Sequence, residues 1–186
     1  AAHFAVMVRD ACVLTAGPKV VARALGYEVT KEELGGSEAH ETSGVPDNFA
    51  ESEADAFLQV RQFLSYLPPN VHEPSPVVQC DEPEVLPPAR AARLRDIVPG
   101  NRRQTYRVRE VLELIVDAGS FFEIGTTQYG ASQVTGLARL GGRSVGVMAN
   151  DNCVFGGAMT ADGADKVTKF LDLCRTFSLP VVAFVD

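Results

Sequence analysis

Apolar residues recur at helical spacing in four stretches of the chain. After Gly17-Pro18, the positions Val20, Val21, Ala24 and Leu25 predict a helix ended by Gly26, since a proline at the first helical position loses no hydrogen bond. From Glu53 to Leu67, Phe57, Val60, Leu64 and Leu67 fall on one helical face, and Pro68-Pro69 stops that helix. Val108, Val111, Leu112 and Ile115 predict a third helix, ended by Gly119. A fourth, from Ala161 to Phe177, places Ala164, Val167, Phe170, Leu171, Cys174 and Phe177 on its inner face. Thr30 with Glu33 three residues on forms a capping-box pattern, broken at once by Leu34-Gly35-Gly36, and residues 35–48 read as an ordered loop.

Strand signals are fewer. Cys12 to Thr15 is a short run with β-branched members, and Phe121-Phe122-Glu123-Ile124 is expected to pack into the core. Gln133–Leu140 and Arg143–Asn150 flank Gly141-Gly142, which is hairpin turn chemistry. Pro180 opens a last run, Val181 to Val185, which reads as a buried strand. Strand, loop, helix and strand in that order form a βαβ-type unit and predict a layered α/β fold. Eight of the eleven prolines lie between residues 68 and 99, a density that predicts an extended connector and a domain boundary. The closing apolar run also suggests an interior segment of a longer protein, because a core strand seldom ends a domain unpaired.

Composition narrows the function classes. The 186 residues are 46% hydrophobic and 22% charged, the balance of a globular protein with a real core. No apolar run is long enough to cross a bilayer, and no basic and apolar leader opens the chain. A net charge of −7 argues against binding nucleic acid through bulk charge. Cys12, Cys80, Cys153 and Cys174 are scattered, which suits a reducing, cytoplasmic setting, and His3, His40 and His72 lack metal-ligand spacing, so no metal is expected.

Two loops are candidates for chemistry. In Asn150 to Ala158, Gly156-Gly157 lies between a strand end and a helix start, where backbone N–H groups are free to stabilise an anion or a developing oxyanion. The alternative is a tight connection in which glycine only relieves strain. The stretch from Leu34 to Gly44 groups Gly35, Gly36, His40, Ser43 and Gly44, able to hold a polar ligand or serve as a hydrogen-bonded structural loop. No Asp is placed by spacing to complete a Ser–His nucleophile. Cys153, with no neighbouring His or Lys, reads as a packed thiol. Arg102 and Arg103, beside Gln104 and Tyr106, form a basic spot suited to a phosphate or to a solvated helix entrance, and His72 in the connector has no chemical role.

Several stretches together resemble the carboxyltransferase (β) subunit of biotin-dependent acyl-CoA carboxylases. They are Leu14-Thr15-Ala16-Gly17-Pro18, Glu33-Leu34-Gly35-Gly36 through His40 to Ser43-Gly44-Val45, Leu64-Ser65-Tyr66-Leu67-Pro68 and Gly156-Gly157-Ala158-Met159-Thr160. Ala164-Asp165-Lys166, Phe170, Leu173-Cys174 and Leu179-Pro180-Val181 continue the likeness, in order and spacing over nearly the whole chain. The resemblance implies a crotonase-like fold, with residues 1–67 ending an N-domain, 68–104 a linker and 105–186 beginning a C-domain. It implies carboxyl transfer from carboxybiotin to the α-carbon of an acyl-CoA, through an enolate held by backbone oxyanion holes. Gly156 and Gly157 then match a ligand loop of the C-domain, while Gly35, Gly36, His40, Ser43 and Gly44 match a wall of the N-domain active site and Asn150 borders the substrate. The remaining oxyanion loops are expected before Ala1 and after Asp186. Biotin on a separate carboxyl carrier, a biotin carboxylase and a hexameric assembly are implied as partners. The family often has Gln-Pro after the residue matching Asn150; here Asp151-Asn152 stands instead, leaving the acyl group open. A decarboxylase of the same fold and a catalytically silent assembly segment are the competing readings.

Overall fold

The computed structural model describes residues 2–80, 86–101 and 103–186. Strand β1 (Val6–Val8) precedes helices α1 (Pro18–Leu25), α2 (Lys31–Gly35) and α3 (Ser37–His40). Strand β2 (Asn48–Ala50) and helix α4 (Glu53–Ser65) complete the first segment. Helices α5 (Pro88–Ile97) and α6 (Val108–Ile115) lead to strands β3 (Phe122–Glu123), β4 (Gln133–Leu140) and β5 (Arg143–Asn150). A 3₁₀ turn (Phe155–Gly157), helix α7 (Ala161–Thr176) and strand β6 (Val181–Phe184) follow.

The described strands form two sheets. β1 and β2 pair in parallel over three residues each. The larger sheet has the order β3-β4-β5-β6, antiparallel except for the parallel β5–β6 pair. β5, α7 and β6 thus form the expected βαβ unit. The β4–β5 hairpin has the expected bounds, and its turn residues Gly141 and Gly142 take φ of 57° and 75°. That left-handed pair matches the twist of the flanking strands, which is why a two-residue connection needs glycine there.

Local signals set several boundaries as expected. Gly26 caps α1. Thr30 and Glu33 exchange both capping-box bonds: the Glu33 N–H donates to the Thr30 hydroxyl (3.2 Å) and the Thr30 N–H to the Glu33 carboxylate (2.8 Å). The Thr30 amide and hydroxyl bonds hold the Glu33 carboxyl below its ordinary pKa.

Six expectations need correction. Residues 12–15 form no strand; the Val13 N–H instead bonds the Gly35 carbonyl (2.8 Å). The 35–48 loop contains α3. The connector contains α5, because Pro87 and Pro88 occupy the N-cap and first helical positions, where proline initiates, and strong helix formers follow. On α4, Phe57 and Leu64 are exposed (66% and 57%), whereas Phe63, Tyr66 and Leu67 are buried. Polar anchors turn the helix: Gln59 donates to the Phe49 carbonyl (2.9 Å) and the Tyr66 hydroxyl to that of Ser120 (2.6 Å), while Phe63 stacks on Phe4. On α7, Ala164 and Leu171 face solvent, and Gly163, Lys166 and Leu173 join Val167, Phe170 and Cys174 inside. β6 is half-exposed rather than buried, since it lies at the sheet edge with one paired neighbour.

Among the described residues two apolar clusters fill the interior. One joins Phe63, Tyr66 and Leu67 to Phe122, Ile124, Leu137 and the α7 face. The other places Val108, Leu112 and Val116 against Val134, Ala138, Val145 and Val147. Both sides of the β4–β5 hairpin are therefore covered, which suits its nearly continuous burial. Arg90 donates to the carbonyls of Glu113 (3.1 Å) and Val116 (2.6 Å), supplying partners at the C-terminal end of α6. Among the described residues no helix is long and apolar enough to cross a membrane.

Candidate functional site

The loop after β5 is fastened on three sides. Within it, the Val154 N–H bonds the Asp151 carbonyl (3.1 Å) and the Cys153 N–H the Asp151 carboxylate (3.0 Å). From the start of β4, the Ser132 hydroxyl donates to the Ala158 carbonyl (2.6 Å) and the Gln133 amide to that of Gly157 (3.3 Å). From the entrance of α6, the Tyr106 N–H donates to the Asn152 side chain (3.2 Å) and Arg109 to the Asp151 carboxylate (2.6 Å).

Three successive residues then adopt left-handed backbone: Phe155 (φ 50°), Gly156 (63°) and Gly157 (77°). For Phe155 this costs about 1 kcal/mol or more, and the residue is 76% exposed. Glycine at 157 has a second cause, since a Cβ there would run into the Asn150 side-chain amide. The two expected donors differ. The Gly157 N–H is engaged by the Val154 carbonyl (2.9 Å). The Phe155 carbonyl turns inward to the Ala158 N–H (3.2 Å), and in a planar trans peptide the N–H of the same plane points the opposite way. That N–H belongs to Gly156, an exposed residue, so the turn presents this amide outward.

Asn150 closes β5. Its amide exchanges two bonds with the Asp186 backbone (3.2 and 2.9 Å), tying the ends of β5 and β6. The Asn152 amide donates to the Asp186 carboxylate (2.8 Å). Burial, and next the Asp186 carboxylate, push the Tyr106 phenol above its ordinary pKa. The Cys153 thiol is exposed rather than packed, and donates to the Tyr106 carbonyl (3.3 Å).

The 35–44 loop is a staple. Gly35 is buried against Val13, where a Cβ would clash with the carbonyl. A carbonyl only accepts, so His40 Nε2–H donates to Val13 (3.0 Å), while Nδ1 meets the Ser43 hydroxyl (2.9 Å). Both ring nitrogens are thus engaged. Gly44 lies under the Tyr129 ring, and Glu41 receives Thr126 at its carbonyl (3.1 Å) and Gln128 at its carboxylate (2.7 Å). Gly36 caps α2 and opens α3. No hydrogen bond or ion pair joins this loop to the 151–158 loop among the described residues. A cavity of about 410 Å³ lies between the two segments, bordered by Asn48, Phe49, Gln59, Gln62, Glu123 and Gln128, and none of residues 151–158 lines it.

Two charged features escaped the sequence reading. Arg109 grips Glu123 with two bonds (2.8 and 2.7 Å) and Asp151 with a third, and Glu123 contributes most to keeping its guanidinium protonated. The one available signal was Asp151 itself. Lys166 is buried on the core side of α7, its ammonium bonded to the carbonyls of Thr126 (3.1 Å) and Tyr129 (3.3 Å). Burial pulls its pKa down to about 8. Of the basic pair before α6, Arg102 lies outside the described residues, as do residues 81–85 of the connector; Arg103 is exposed. Among the described residues no group of three His, Cys, Asp or Glu is arranged to hold a metal ion.

Comparison with known proteins fits this geometry. The carboxyl transferase domain family matches residues 1–186. The chain is 38% identical to the propionyl-CoA carboxylase carboxyltransferase subunit of Haloferax mediterranei, covering 98% of this chain and 35% of that protein. It is 38% identical to the methylmalonyl-CoA carboxyltransferase 12S subunit of Propionibacterium freudenreichii subsp. shermanii, over 98% of this chain and 34% of that one. The structure of transcarboxylase 12S with hydrolysed methylmalonyl-coenzyme A bound superposes with a TM-score of 0.90 at 36% identity, covering 99% of this chain and 36% of that chain. The chain therefore spans about a third of the length of the curated relatives it matches. The expected crotonase-like α/β fold is the one observed. By sequence over its whole length and by fold, this chain belongs to the carboxyl transferase domain family.

Proposed function

We propose that this chain is a segment of an enzyme that transfers a carboxyl group between biotin and the α-carbon of an acyl-CoA. The observation that carries the reading is the left-handed turn at residues 155–157, which presents the Gly156 amide outward while the Gly157 N–H and the Phe155 and Gly157 carbonyls are held by bonds. A main-chain donor set in a fixed turn needs no reorganisation as negative charge develops on an acceptor, and loss of one such donor typically costs on the order of 10²–10³ in rate. A biotin ureido oxygen that gains charge is an acceptor of this kind, so the residues present fit the group. In this reading Gly157 shapes the turn over Asn150, and Gly35, Gly36, His40, Ser43 and Gly44 brace a wall of the acyl-CoA site. Residues 1–67 and 105–186 are the adjoining parts of two domains joined through 68–104, consistent with their two separate sheets. The working enzyme is a cytoplasmic homo-hexamer served by a biotin carboxyl carrier and a biotin carboxylase. The relatives support this assignment, and 36% identity to the methylmalonyl-CoA decarboxylase subunit alpha of Veillonella parvula gives the reverse, decarboxylating direction a specific basis.

The test uses the natural full-length polypeptide. Incubated with free biotin and carboxyl-labelled methylmalonyl-CoA or malonyl-CoA, it should move label to biotin. No transfer from either donor, beside an active relative as control, overturns the reading.

A further inference from the structure

We propose that Arg109 is a positioning residue for the 151–158 loop, acting through Asp151, and that this pair sets the direction of the Gly156 amide. The inference rests on the function proposed above. Arg109 sits in the first turn of α6 and makes three charge-assisted bonds. Two run in parallel to Glu123 of β3, and the third, at 2.6 Å, reaches Asp151. Asp151 is nearly buried, with its side chain 10% accessible. Its other carboxylate oxygen accepts the Cys153 N–H, and its carbonyl accepts the Val154 N–H. The chain of bonds then continues without a gap. The Val154 carbonyl takes the Gly157 N–H, and the Phe155 carbonyl takes the Ala158 N–H.

A guanidinium offers its donors in a rigid plane, so fixing two on Glu123 fixes where the third points. Glu123 is itself a strand residue, paired with Gly136. The position of Asp151, and through it the pitch of the turn, is thereby referred to the sheet rather than to the loop's own residues. Asp151 stands where the family resemblance leads one to expect glutamine, so the charged tie is a property of this chain. A neutral amide at 151 can still accept a bond but loses the charge that shortens it.

Three variants of the full-length protein separate this role from simple stabilisation. D151Q leaves the Arg109–Glu123 pair whole and removes the charge that serves both the tie to Arg109 and the Cys153 N–H bond, so its effect is read beside that of R109K, which leaves the Asp151–Cys153 bond in place. R109K keeps the charge but loses the planar fork. E123Q weakens the anchor on β3 and leaves Asp151 in place. D151Q and R109K should each lower kcat for biotin-dependent transfer by about 10- to 100-fold, with the KM for acyl-CoA within about twofold of wild type. E123Q should fall between them and wild type. Amide hydrogen exchange supplies a readout independent of activity: D151Q should speed exchange at Cys153 to Ala158 while β4 and β5 stay protected. Unchanged loop exchange in D151Q overturns the proposal, whatever the activity. So does a D151Q loss expressed equally in kcat and in the KM for acyl-CoA. If wild type transfers no carboxyl group, the functional reading fails, and the exchange experiment still decides the positioning claim.

Discussion

The two sheets of the molecule hold together by different means. β4 and β5 pair over eight residues each, joined by a two-residue turn, with apolar clusters on both faces. β1 and β2 pair over three residues each, and a two-stranded sheet that short has no independent stability. The first segment is held instead by reaching across to the second. Asp47, itself buried, accepts from Lys169 of α7 (2.7 Å), and Asn48 donates to the Glu123 carbonyl (3.0 Å). Tyr66 donates to Ser120, and Phe63, Tyr66 and Leu67 complete the apolar cluster under α7. Meanwhile Phe57, Leu58 and Leu64 remain exposed. One region is stable through its own ladder, and the other through a few long-range ties. Cutting a tie should loosen the first segment alone, whereas damage to the ladder should bring down both.

The largest effect is expected from L137A. Leu137 is fully buried at the centre of β4, and removing its branch should cost about 2–5 kcal/mol. Denaturant unfolding should show a single transition moved to lower concentration, with protection lost in both segments. Survival of α4 protection beyond that of β4 would break the comparison.

K166M comes next. Lys166 has a folded pKa of about 8 against its ordinary 10.5. Below pH 8 both folded and unfolded states carry the proton and the folded state bears the full cost of burying it. Between about 8 and 10.5 the unfolded state holds the proton more tightly, so stability rises with pH, by on the order of 3 kcal/mol across the window. Burial moves Cys174 the other way, up to about 11, so its contribution falls as pH rises through about 9 to 11. Subtracting the K166M profile from wild type cancels the thiol and should leave only the rise. A flat difference between pH 8 and 10.5 would show that Lys166 is held without strain.

Y66F removes a buried hydroxyl and leaves the Ser120 carbonyl unpaired, at a cost of about 1–3 kcal/mol. Exchange should quicken in α4 and β2 with β4 and β5 unchanged, which would sharpen the contrast between the regions. G141A is expected to be mildest. A Cβ there meets open space, so the loss of about 1 kcal/mol reflects only the left-handed backbone and should appear as a small fall in Tm.

How far the sequence disclosed this follows from the kind of interaction involved. The β4–β5 hairpin, the capping box of α2 and the stop of α1 depend on neighbours in sequence, and all three are legible there. The buried face of α4 is not, because Gln59, Phe63 and Tyr66 are chosen by partners at Phe49, Phe4 and Ser120. The same holds for α7. Periodicity marks Val167, Phe170 and Cys174, but nothing local announces that Lys166 belongs inside, since its acceptors are carbonyls of the 126–129 segment. The 155–157 turn was legible as a candidate from its glycines alone. Which of its amides faces outward depends on the direction of the Phe155 carbonyl, and that is not written in the residue types.

The Gly141-Gly142 turn also bears on the order in which the chain assembles. It brings β4 and β5 together after closing a loop of two residues, and hairpins of this kind form within about 1–10 μs. Adding β6 requires residues 151–180 to be gathered first, and pairing β1 with β2 requires residues 9–47. Closure entropy grows only slowly with loop length, but each longer closure is repaid by fewer pairings: four register pairs for β6 and three for β1. Folding is then expected to nucleate at one tight turn and spread outward, with the segment around β1 and β2 the last to be recruited.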